Sequence, residues 1–447
     1  MKKTLIYMLL IVVFTIILGS CKNWIDPAIN KDPNNPDDVS VKNLLAPIQA
    51  TIGYGMGSDI CRFASMFTQH HQGIDRQHLQ IYQYNFVESD VTNSWDNITS
   101  VSMSNLYQLI QKSTDNQSYH YRGVARVLMA FCLGVITDVW GDVPYTQAFQ
   151  GYAHLKPKYD LQQDIYTTIL PNLLDSAIAD LNASKSTFDP AGDDLIYGGD
   201  LSKWIKAAFS LKARFYIHTT KRDPNAAAKA LDALSKGALS SIDDDCVVKF
   251  GTAYTNSNPW FQFINERGDI DIATYFLDDL QGLKDPREIP FTQNGEAGAL
   301  GSYYASSTSP VPLITFSEVK FIEAEAKLAA NDQNGAKTAM ITAITASLKT
   351  VGTNDTDIAA YIAQTAVVPT GNIALSDIMA QKYIAMYTQL EPWTDWRRTG
   401  LPDIPATDGK TKADIPRRFP YSQSERLYNA DNFPGTKTNT DRVWWDK

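Results

Sequence analysis

Residues 121–140, YRGVARVLMAFCLGVITDVW, decide the fold class of this 447-residue chain. Their apolar side chains recur at spacings of three and four and so form one broad stripe along a helix: Val124, Val127, Leu128, Phe131, Cys132, Val135, Ile136 and Val139. Gly141 then ends the helix, and Pro144 prevents it from resuming. The stretch therefore predicts a long helix that packs in a protein core.

The same periodicity continues through much of the chain. It predicts further helices at residues 161–181, 201–219, 226–239, 315–330, 333–348, 355–364 and 375–390. Pro171 would kink or split the first of these. Because the joints between consecutive helices are short, we expect an all-α fold of stacked antiparallel hairpins. These hairpins are irregular in length and do not follow a strict tetratricopeptide period.

Long irregular stretches separate the helical pairs. They cover residues 243–268, 285–312 and 400–447, and only residues 246–250 within them resemble a strand. Little or no β structure is therefore expected. Long ordered loops in a compact protein usually carry function, so these stretches are where a binding site is expected.

The N-terminus has the pattern of an export signal. Lys2 and Lys3 precede an apolar run, residues 5–18, that is too short to span a bilayer comfortably. Leu18-Gly19-Ser20-Cys21 then looks like the lipobox of bacterial lipoproteins, with Cys21 as the lipidated residue. The alternatives are an ordinary cleaved signal peptide and an uncleaved anchor. We expect residues 1–20 to be a lipoprotein signal peptide and residues 21–39, rich in Asn, Asp and Pro, to form a flexible tether.

Charge and cysteine content exclude several classes of protein. The formal charge is -9, and loss of Lys2 and Lys3 with a signal peptide would make it −11, so a nucleic-acid partner is not expected. Cys61, Cys132 and Cys246 are too few for a disulfide framework, although one pair could form.

Motifs for metal binding and catalysis are missing from the sequence. His70 and His71 are adjacent, so on a helix their side chains would point to different sides, and Asp243-Asp244-Asp245 lacks a calcium-binding loop. The sequence holds no nucleophile elbow, P-loop or dinucleotide fingerprint. We therefore predict no catalytic residues, no metal and no cofactor.

Several charged residues have simple structural interpretations. Asp138 and Asp142 flank a turn and are expected to accept hydrogen bonds from backbone donors or an arginine. The helix with Glu318, Glu323 and Glu325 is expected to present its acids to solvent or to arginines. Arg397 and Arg398 either pair with such acids, because Arg forms bidentate pairs with carboxylates, or brace the last helix.

Five motifs occur along the chain in a fixed order. They are DVWGDVPY at 138–145, Trp204 with AFSLKAR at 208–214, DPR at 285–287, Glu318 with FIEAEA at 321–326, and EPWTDWRRTG at 391–400. With the lipobox they resemble the SusD/RagB family of outer-membrane nutrient-binding lipoproteins. Gln69-His70 and Gly73, ahead of a tyrosine-rich segment and Trp95, are most similar to its SusD-like branch.

The resemblance implies a fold, a partner and a location. It implies tetratricopeptide-like hairpins within a single helical domain at residues 40–447, and an irregular region that carries a glycan site. It also implies a SusC-like TonB-dependent transporter as partner, over which the lipoprotein sits as a lid on the outer membrane, facing the cell exterior. Trp393 and Trp396 belong to the family signature and are expected to be structural.

Three aromatic segments have the chemistry that sugars require, because flat rings stack on C–H faces while planar polar groups bind hydroxyls. The candidate ligand-binding residues are Tyr82, Tyr84, Trp95 and Asn97; Tyr254, Asn258, Trp260 and Phe261; and Tyr303 and Tyr304. Trp95 and Trp260 could equally be core residues, because Trp is seldom fully buried. Tyr303 and Tyr304 lie in a Gly- and Ser-rich loop and are expected to be exposed.

The combined interpretation is a lipid-anchored binding protein that captures oligosaccharides and passes them to its transporter without breaking a bond. One alternative is a peptide-binding member of the same family. Others are a helical glycoside hydrolase, because carboxylate pairs arise by chance in an acidic chain, and a passive helical scaffold.

Overall fold

The computed structural model describes residues 39–295 and 298–446, and helices dominate them. The predicted signal peptide, Cys21 and nearly all of the predicted tether lie outside the described residues. The α-helices are α1 Val41–Met56, α2 Asp59–Phe67, α3 Arg76–Tyr82, α4 Thr92–Asp96, α5 Ser104–Asp115, α6 Tyr119–Trp140, α7 Leu170–Leu181, α8 Leu201–His218, α9 Ala226–Ser235, α10 Pro259–Glu266, α11 Thr274–Gly282, α12 Glu288–Thr292, α13 Phe316–Ala329, α14 Gln333–Thr350, α15 Asp355–Ile362, α16 Leu375–Ala385, α17 Glu391–Thr399 and α18 Gln423–Tyr428. The all-α prediction is confirmed.

Helix α6 forms the centre of the main core. It ends at Gly141, which has a φ of 87°. Glycine adopts this angle readily, whereas other residues adopt it only with strain. Within it, Gly134 and Gly123 let neighbouring helices approach: a Cβ there would lie 2.4 Å from the Phe215 ring of α8 and 2.7 Å from Leu181 of α7. Among the described residues α6 is the one helix long and apolar enough to cross a membrane, and nearly all of it is buried inside the fold.

The predicted irregularity near Pro171 is present. A short turn at Gln162–Asp164 continues into a π-helix at Ile165–Ile169 and then into α7, with Pro171 in its first turn. Since proline has no N–H to donate, the wider turn just before it lets the helical run continue.

Two predicted helix ends are wrong. The helix predicted at 375–390 ends at Ala385, because the backbone reverses at Thr388, which has a φ of 65°, before α17 starts at Glu391. The helix predicted at 226–239 ends at Ser235.

Within residues 39–295 and 298–446 the strands are short and form four antiparallel two-stranded ladders. They are β1 His71–Gly73, β2 Val143–Pro144, β3 Tyr159–Asp160, β4 Cys246–Val248, β5 Ile270–Ile272, β6 Asn294–Gly295, β7 Gly298–Gly301 and β8 Val311–Ile314. The pairs are β1 with β5, β2 with β3, β4 with β8, and β6 with β7. The predicted strand near 246–250 is therefore confirmed as β4, and its ladder with β8 ties the irregular stretch at 243–268 to that at 285–312.

Buried ion pairs join the helices. Arg398 contacts Glu325 of α13 at 2.5 Å and Asp395 at 2.7 Å, and Arg214 of α8 contacts Glu318 at 2.5 Å. The prediction that arginines pair with these acids is confirmed for Glu318 and Glu325, with Arg214 as the partner of Glu318 and Arg398 as that of Glu325. The pairing predicted for Arg397 is wrong: its guanidinium donates to the Asp138 and Arg417 carbonyls. Glu323, which is partly exposed, instead pairs with two lysines of its own helix, Lys320 and Lys327.

The two acids of the DVWGDVPY motif also have structural partners. Asp142 accepts a 2.7 Å hydrogen bond from the backbone N–H of Gln162, as predicted. Asp138 accepts from the Trp445 indole at 2.9 Å and from the Tyr166 hydroxyl. The three described cysteines are free and buried, so no pair forms between them.

Candidate functional site

Two pockets lie on either side of α18, where three irregular segments meet. One, of about 270 Å³, is lined by Trp95, the loop at 148–157 and Glu425. The other, of about 400 Å³, is lined by residues 86–89 and by residues of the 420–439 segment. We call them the Trp95 pocket and the Lys437 pocket. Their position among loops at the surface, over a rigid helical core, is that expected of a ligand site.

Trp95 forms an inner wall of its pocket. Its ring packs edge-on against Trp140 of α6, with centroids 5.3 Å apart, and against Tyr421 at 6.3 Å. The Trp140 indole donates to the Pro420 carbonyl at 2.8 Å. The Trp95 indole N–H, in contrast, makes no hydrogen bond to another described residue, and the residue is 2% exposed. A ring at a pocket wall whose donor is unused within the fold is suited to a polar ligand.

Two exposed tyrosines lie close in sequence to residues that line the same pocket. Tyr152, in the 3₁₀ turn Gly151–Ala153, is 96% exposed, and Tyr428, at the end of α18, is 76% exposed. Tyr428 lies three residues after the pocket residue Glu425, and hence on the same side of the helix. Large aromatic rings exposed to this degree offer faces for stacking.

Hydrogen bonds hold the two tyrosine-bearing segments together. The Asn429 side chain donates to the Pro157 carbonyl at 2.9 Å, and Asn432 donates to the Lys156 carbonyl at 3.0 Å. Lys156 also pairs with Asp431 at 2.6 Å. These contacts fix the loop against the C-terminal segment, so the rim of the pocket is formed before any ligand arrives.

The polar groups of the Trp95 pocket centre on Glu425. Its carboxylate accepts the Tyr159 hydroxyl at 2.7 Å and the Asn429 amide at 3.2 Å. Burial and the Glu425 charge hold the pKa of Tyr159 far above its usual range, so Tyr159 is a neutral donor that fixes the carboxylate. A held carboxylate with free lone pairs can accept hydroxyl hydrogen bonds.

The first predicted segment contributes to this site mainly through Trp95. Tyr82 is half-buried and donates to Gln69 at 2.9 Å, while the buried Tyr84 accepts the Thr407 backbone N–H at 3.1 Å. Asn97 is half-buried against α1, where a Cβ at Gly55 would lie 2.4 Å from its Oδ1.

The second and third predicted segments meet in the interior. Asn258, Trp260 and Tyr304 line a cavity of about 30 Å³, which has room for water but not for a sugar ring. Asn258 caps α10 by accepting from the Trp260 N–H at 2.7 Å. Trp260 is 2% exposed and packs on the His71 ring at 5.0 Å.

The expected exposure of Tyr304 is wrong, since the residue is 5% exposed. Its ring is folded inward onto Phe291 and Tyr387, at centroid distances of 5.2 and 5.1 Å. Glycine at position 301 allows this inward packing of the chain, because a Cβ there would lie 2.2 Å from the Pro290 carbonyl oxygen. Tyr303 is half-buried beside it.

Two residues of the second segment keep accessible surface. Tyr254 is about half exposed, in the 3₁₀ turn Tyr254–Asn256, and Phe261 is half-buried on α10. Both lie away from the residues that line the Trp95 and Lys437 pockets.

Residue patterns did not reveal Tyr152 and Tyr428. Each is a single aromatic in a polar stretch, GYAH and LYNA, without the clustering that marked the other segments. Tyr428 lies in the long irregular stretch at 400–447. The expectation that such stretches carry a binding site was the sequence feature that pointed to this region.

Histidines and acids do not form a metal site in the described part of the chain, where no group of three or more potential ligands is found. His70 and His71 are both in the core. His70 contacts the Tyr383 carbonyl at 3.1 Å, and His71 contacts the Tyr387 hydroxyl at 2.7 Å. Burial lowers the pKa of His71 to about 3, so its ring is neutral and structural.

The sequence is also similar to that of a known protein family. A family model described as SusD-like, starch-binding and associating with the outer membrane matches residues 33–422. Comparison with curated proteins gives no significant match.

Solved structures with the same fold cover nearly the whole chain. A SusD/RagB family protein from Bacteroides thetaiotaomicron is 25% identical, with a TM-score of 0.74, 92% of this chain and 99% of that chain covered. A chitin-binding protein is also 25% identical, with a TM-score of 0.75 and coverage of 91% and 100%. A chitin-binding SusD homolog from Flavobacterium johnsoniae is 22% identical, with a TM-score of 0.76 and coverage of 91% and 98%.

Proposed function

The chain belongs to the SusD-like family of starch-binding proteins that associate with the outer membrane, and on that basis we propose that it captures oligosaccharides at the surface of α18. The observation that carries this proposal is the pair of exposed rings, Tyr152 and Tyr428, beside a pocket walled by Trp95. Stacking surfaces next to held polar groups are what a sugar chain requires.

The proposed mechanism is binding without chemistry. The rings of Tyr152 and Tyr428 stack on sugar faces, while the Trp95 indole N–H donates and the Glu425 carboxylate accepts hydrogen bonds. The site is open and forms hydrogen bonds with few groups of the ligand. The affinity for the ligand is therefore modest, and the ligand can be released. Many copies on one surface would add avidity for long glycans.

We further propose that release occurs into a SusC-like TonB-dependent transporter, with the protein anchored by lipid on Cys21. The lipobox pattern at residues 18–21 and the family description support this placement. Radiolabelled palmitate should enter the wild-type protein and not Cys21→Ala; equal labelling of both would contradict lipidation. Detergent pull-down from native membranes should recover a TonB-dependent transporter with the tagged protein.

Of the residues predicted from sequence, we retain Trp95 in the proposed site. Tyr82, Tyr254, Phe261 and Tyr303 keep some accessible surface and stay predictions. Tyr84, Asn97, Asn258, Trp260 and Tyr304 already pack or bond within the fold.

Calorimetry with the full-length protein in detergent tests the ligand class. Maltohexaose, a chitin hexamer and peptide pools should be titrated into wild-type protein, Trp95→Phe and Trp260→Phe. We expect binding to at least one glycan, weakened in Trp95→Phe by about five- to tenfold because the ring stays and one donor is lost. Trp260→Phe, in the core, serves as the matched control. Binding of peptides alone, or turnover of a bound glycan, would overturn the proposal.

A further inference from the structure

The Lys437 pocket carries an uncompensated positive charge. Its lining includes one acid, Glu88, and two bases, Arg426 and Lys437. Arg426 and Glu88 form a 2.7 Å ion pair and so neutralise each other. Lys437 is half-buried and has no ion pair with any described residue. The pocket therefore has a net charge of about one positive unit, which is carried by a flexible side chain.

The surroundings make this cation unusual. The chain as a whole has a formal charge of -9, so a positive pocket is a local exception in an acidic protein. Walls of low polarity strengthen the field of such a charge within a pocket. Here the walls include Phe86, Tyr421 and Phe433, with the last two rings 5.8 Å apart and edge to face.

Contacts also join the walls of the Lys437 pocket to each other and to the core. The Asn439 side chain donates to the Phe86 carbonyl at 3.2 Å, which ties one wall to the other. The Arg418 guanidinium lies over the Tyr421 ring, 4.7 Å from its centroid, and holds the ring in place. A volume of about 400 Å³ exceeds that of the Trp95 pocket and can hold a sugar ring with a substituent.

The two pockets differ in sign across α18. The Trp95 pocket presents the Glu425 carboxylate, whereas the Lys437 pocket presents an unpaired ammonium. An anionic group is therefore disfavoured on one side of the helix and favoured on the other. Such an arrangement distinguishes the two ends of a ligand that spans both.

We propose that the Lys437 pocket binds an anionic sugar residue, one bearing a carboxylate or a sulfate, of the oligosaccharide held by Tyr152 and Tyr428. This deepens, and rests on, the proposed capture of oligosaccharides. The acidic group pairs with the Lys437 ammonium while the ring lies against Tyr421 and Phe433. The ligand class is then an acidic or partly acidic glycan, and its acidic unit sets the binding direction.

The test compares matched neutral and anionic hexasaccharides. Maltohexaose serves as the neutral probe, hexagalacturonate as the carboxylate probe and a chondroitin sulfate hexasaccharide as the sulfate probe. Each is titrated into the full-length protein in detergent, as wild type, Lys437→Met and Lys437→Arg. Lys185→Met, an exposed lysine with no ion pair to a described residue, is the matched control. Circular dichroism verifies that each variant is folded.

We expect wild-type protein to bind at least one anionic probe about tenfold more tightly than maltohexaose, since a charge-assisted contact is stronger than a neutral one. Lys437→Met should lose that advantage, Lys437→Arg should restore most of it, and Lys185→Met should not change it. Higher salt should weaken anionic binding selectively. The affinities for hexagalacturonate and for the chondroitin sulfate hexasaccharide show whether the pocket prefers a carboxylate or a sulfate.

Each other outcome contradicts a definite part of the account. If maltohexaose binds and both anionic probes bind no more tightly, or if Lys437→Met leaves anionic binding unchanged, the anionic subsite is refuted and oligosaccharide capture stands. If no probe, neutral or anionic, binds the folded wild-type protein, both proposals fall.

Discussion

A substitution at His218 tests the buried charge network that joins the helices beneath the site. The His218 side chain is fully buried on α8, with Nε2 2.9 Å from Glu391 and Nδ1 3.5 Å from Asp138. Burial alone would lower the pKa of His218, but the carboxylates of Glu391 and Asp138 outweigh it and raise the pKa from 6.5 to about 9. His218 is therefore a cation at neutral pH, held between two acids.

The raised pKa gives the sign and size of the effect. A folded pKa above the unfolded value means that the proton stabilises the folded state. This contribution is fully present below about pH 6.5 and is lost as the pH rises through about 9. The difference between 6.5 and about 9 corresponds to about 3 kcal/mol at full effect.

Urea unfolding of wild type and His218→Gln between pH 6 and 9.5 measures this contribution. We expect the variant to be less stable by about 3 kcal/mol at pH 6 and the gap to shrink steadily as the pH approaches 9.5. His154→Gln, the same change at an exposed position, should show no such trend. A gap between wild type and His218→Gln that stays constant over this range would refute the assignment of a charged His218.

Two further substitutions test local features of the fold, both by urea unfolding. Asn258→Ala removes the cap of α10 and the 2.8 Å bond to the Ser309 carbonyl, and should cost about 2 kcal/mol; Asn265→Ala, on the exposed side of α10, should be nearly neutral. Gly73→Ala would place a Cβ 1.9 Å from the His78 carbonyl oxygen and should cost about 3 kcal/mol, whereas Gly268→Ala has open space and should be tolerated. Equal stability within either pair would contradict the packing described.

The helices were predictable because their signal is local. The apolar stripe of α6 and the stops at Gly141 and Pro144 fix that helix without reference to the rest of the chain. The end of α16 was not predictable, because apolar residues continue to Leu390 while the backbone turns at Thr388. That reversal depends on tertiary packing, which periodicity does not record.

The site was harder to predict than the fold, because an aromatic residue has the same letter whether buried or exposed. Tyr254 and Tyr304 are both candidate ligand residues in irregular stretches, yet Tyr254 is about half exposed and Tyr304 packs on Phe291. Tyr152 and Tyr428 are 276 positions apart in the chain, and contacts such as that between Asn429 and Pro157 join the two segments that carry them. Such long-range pairings are invisible to spacing rules.

If the exposed rings near the Trp95 pocket capture a glycan, as we propose, removal of both rings should weaken glycan binding. The affinity of the tightest-binding glycan should be measured for wild type, the double variant Tyr152→Ala/Tyr428→Ala, and Phe188→Ala, an exposed aromatic residue that lines neither pocket. Loss of two stacking faces should weaken binding by about tenfold or more, while Phe188→Ala leaves it unchanged. Unchanged affinity in the folded double variant, or an equal loss in Phe188→Ala, would contradict the proposal.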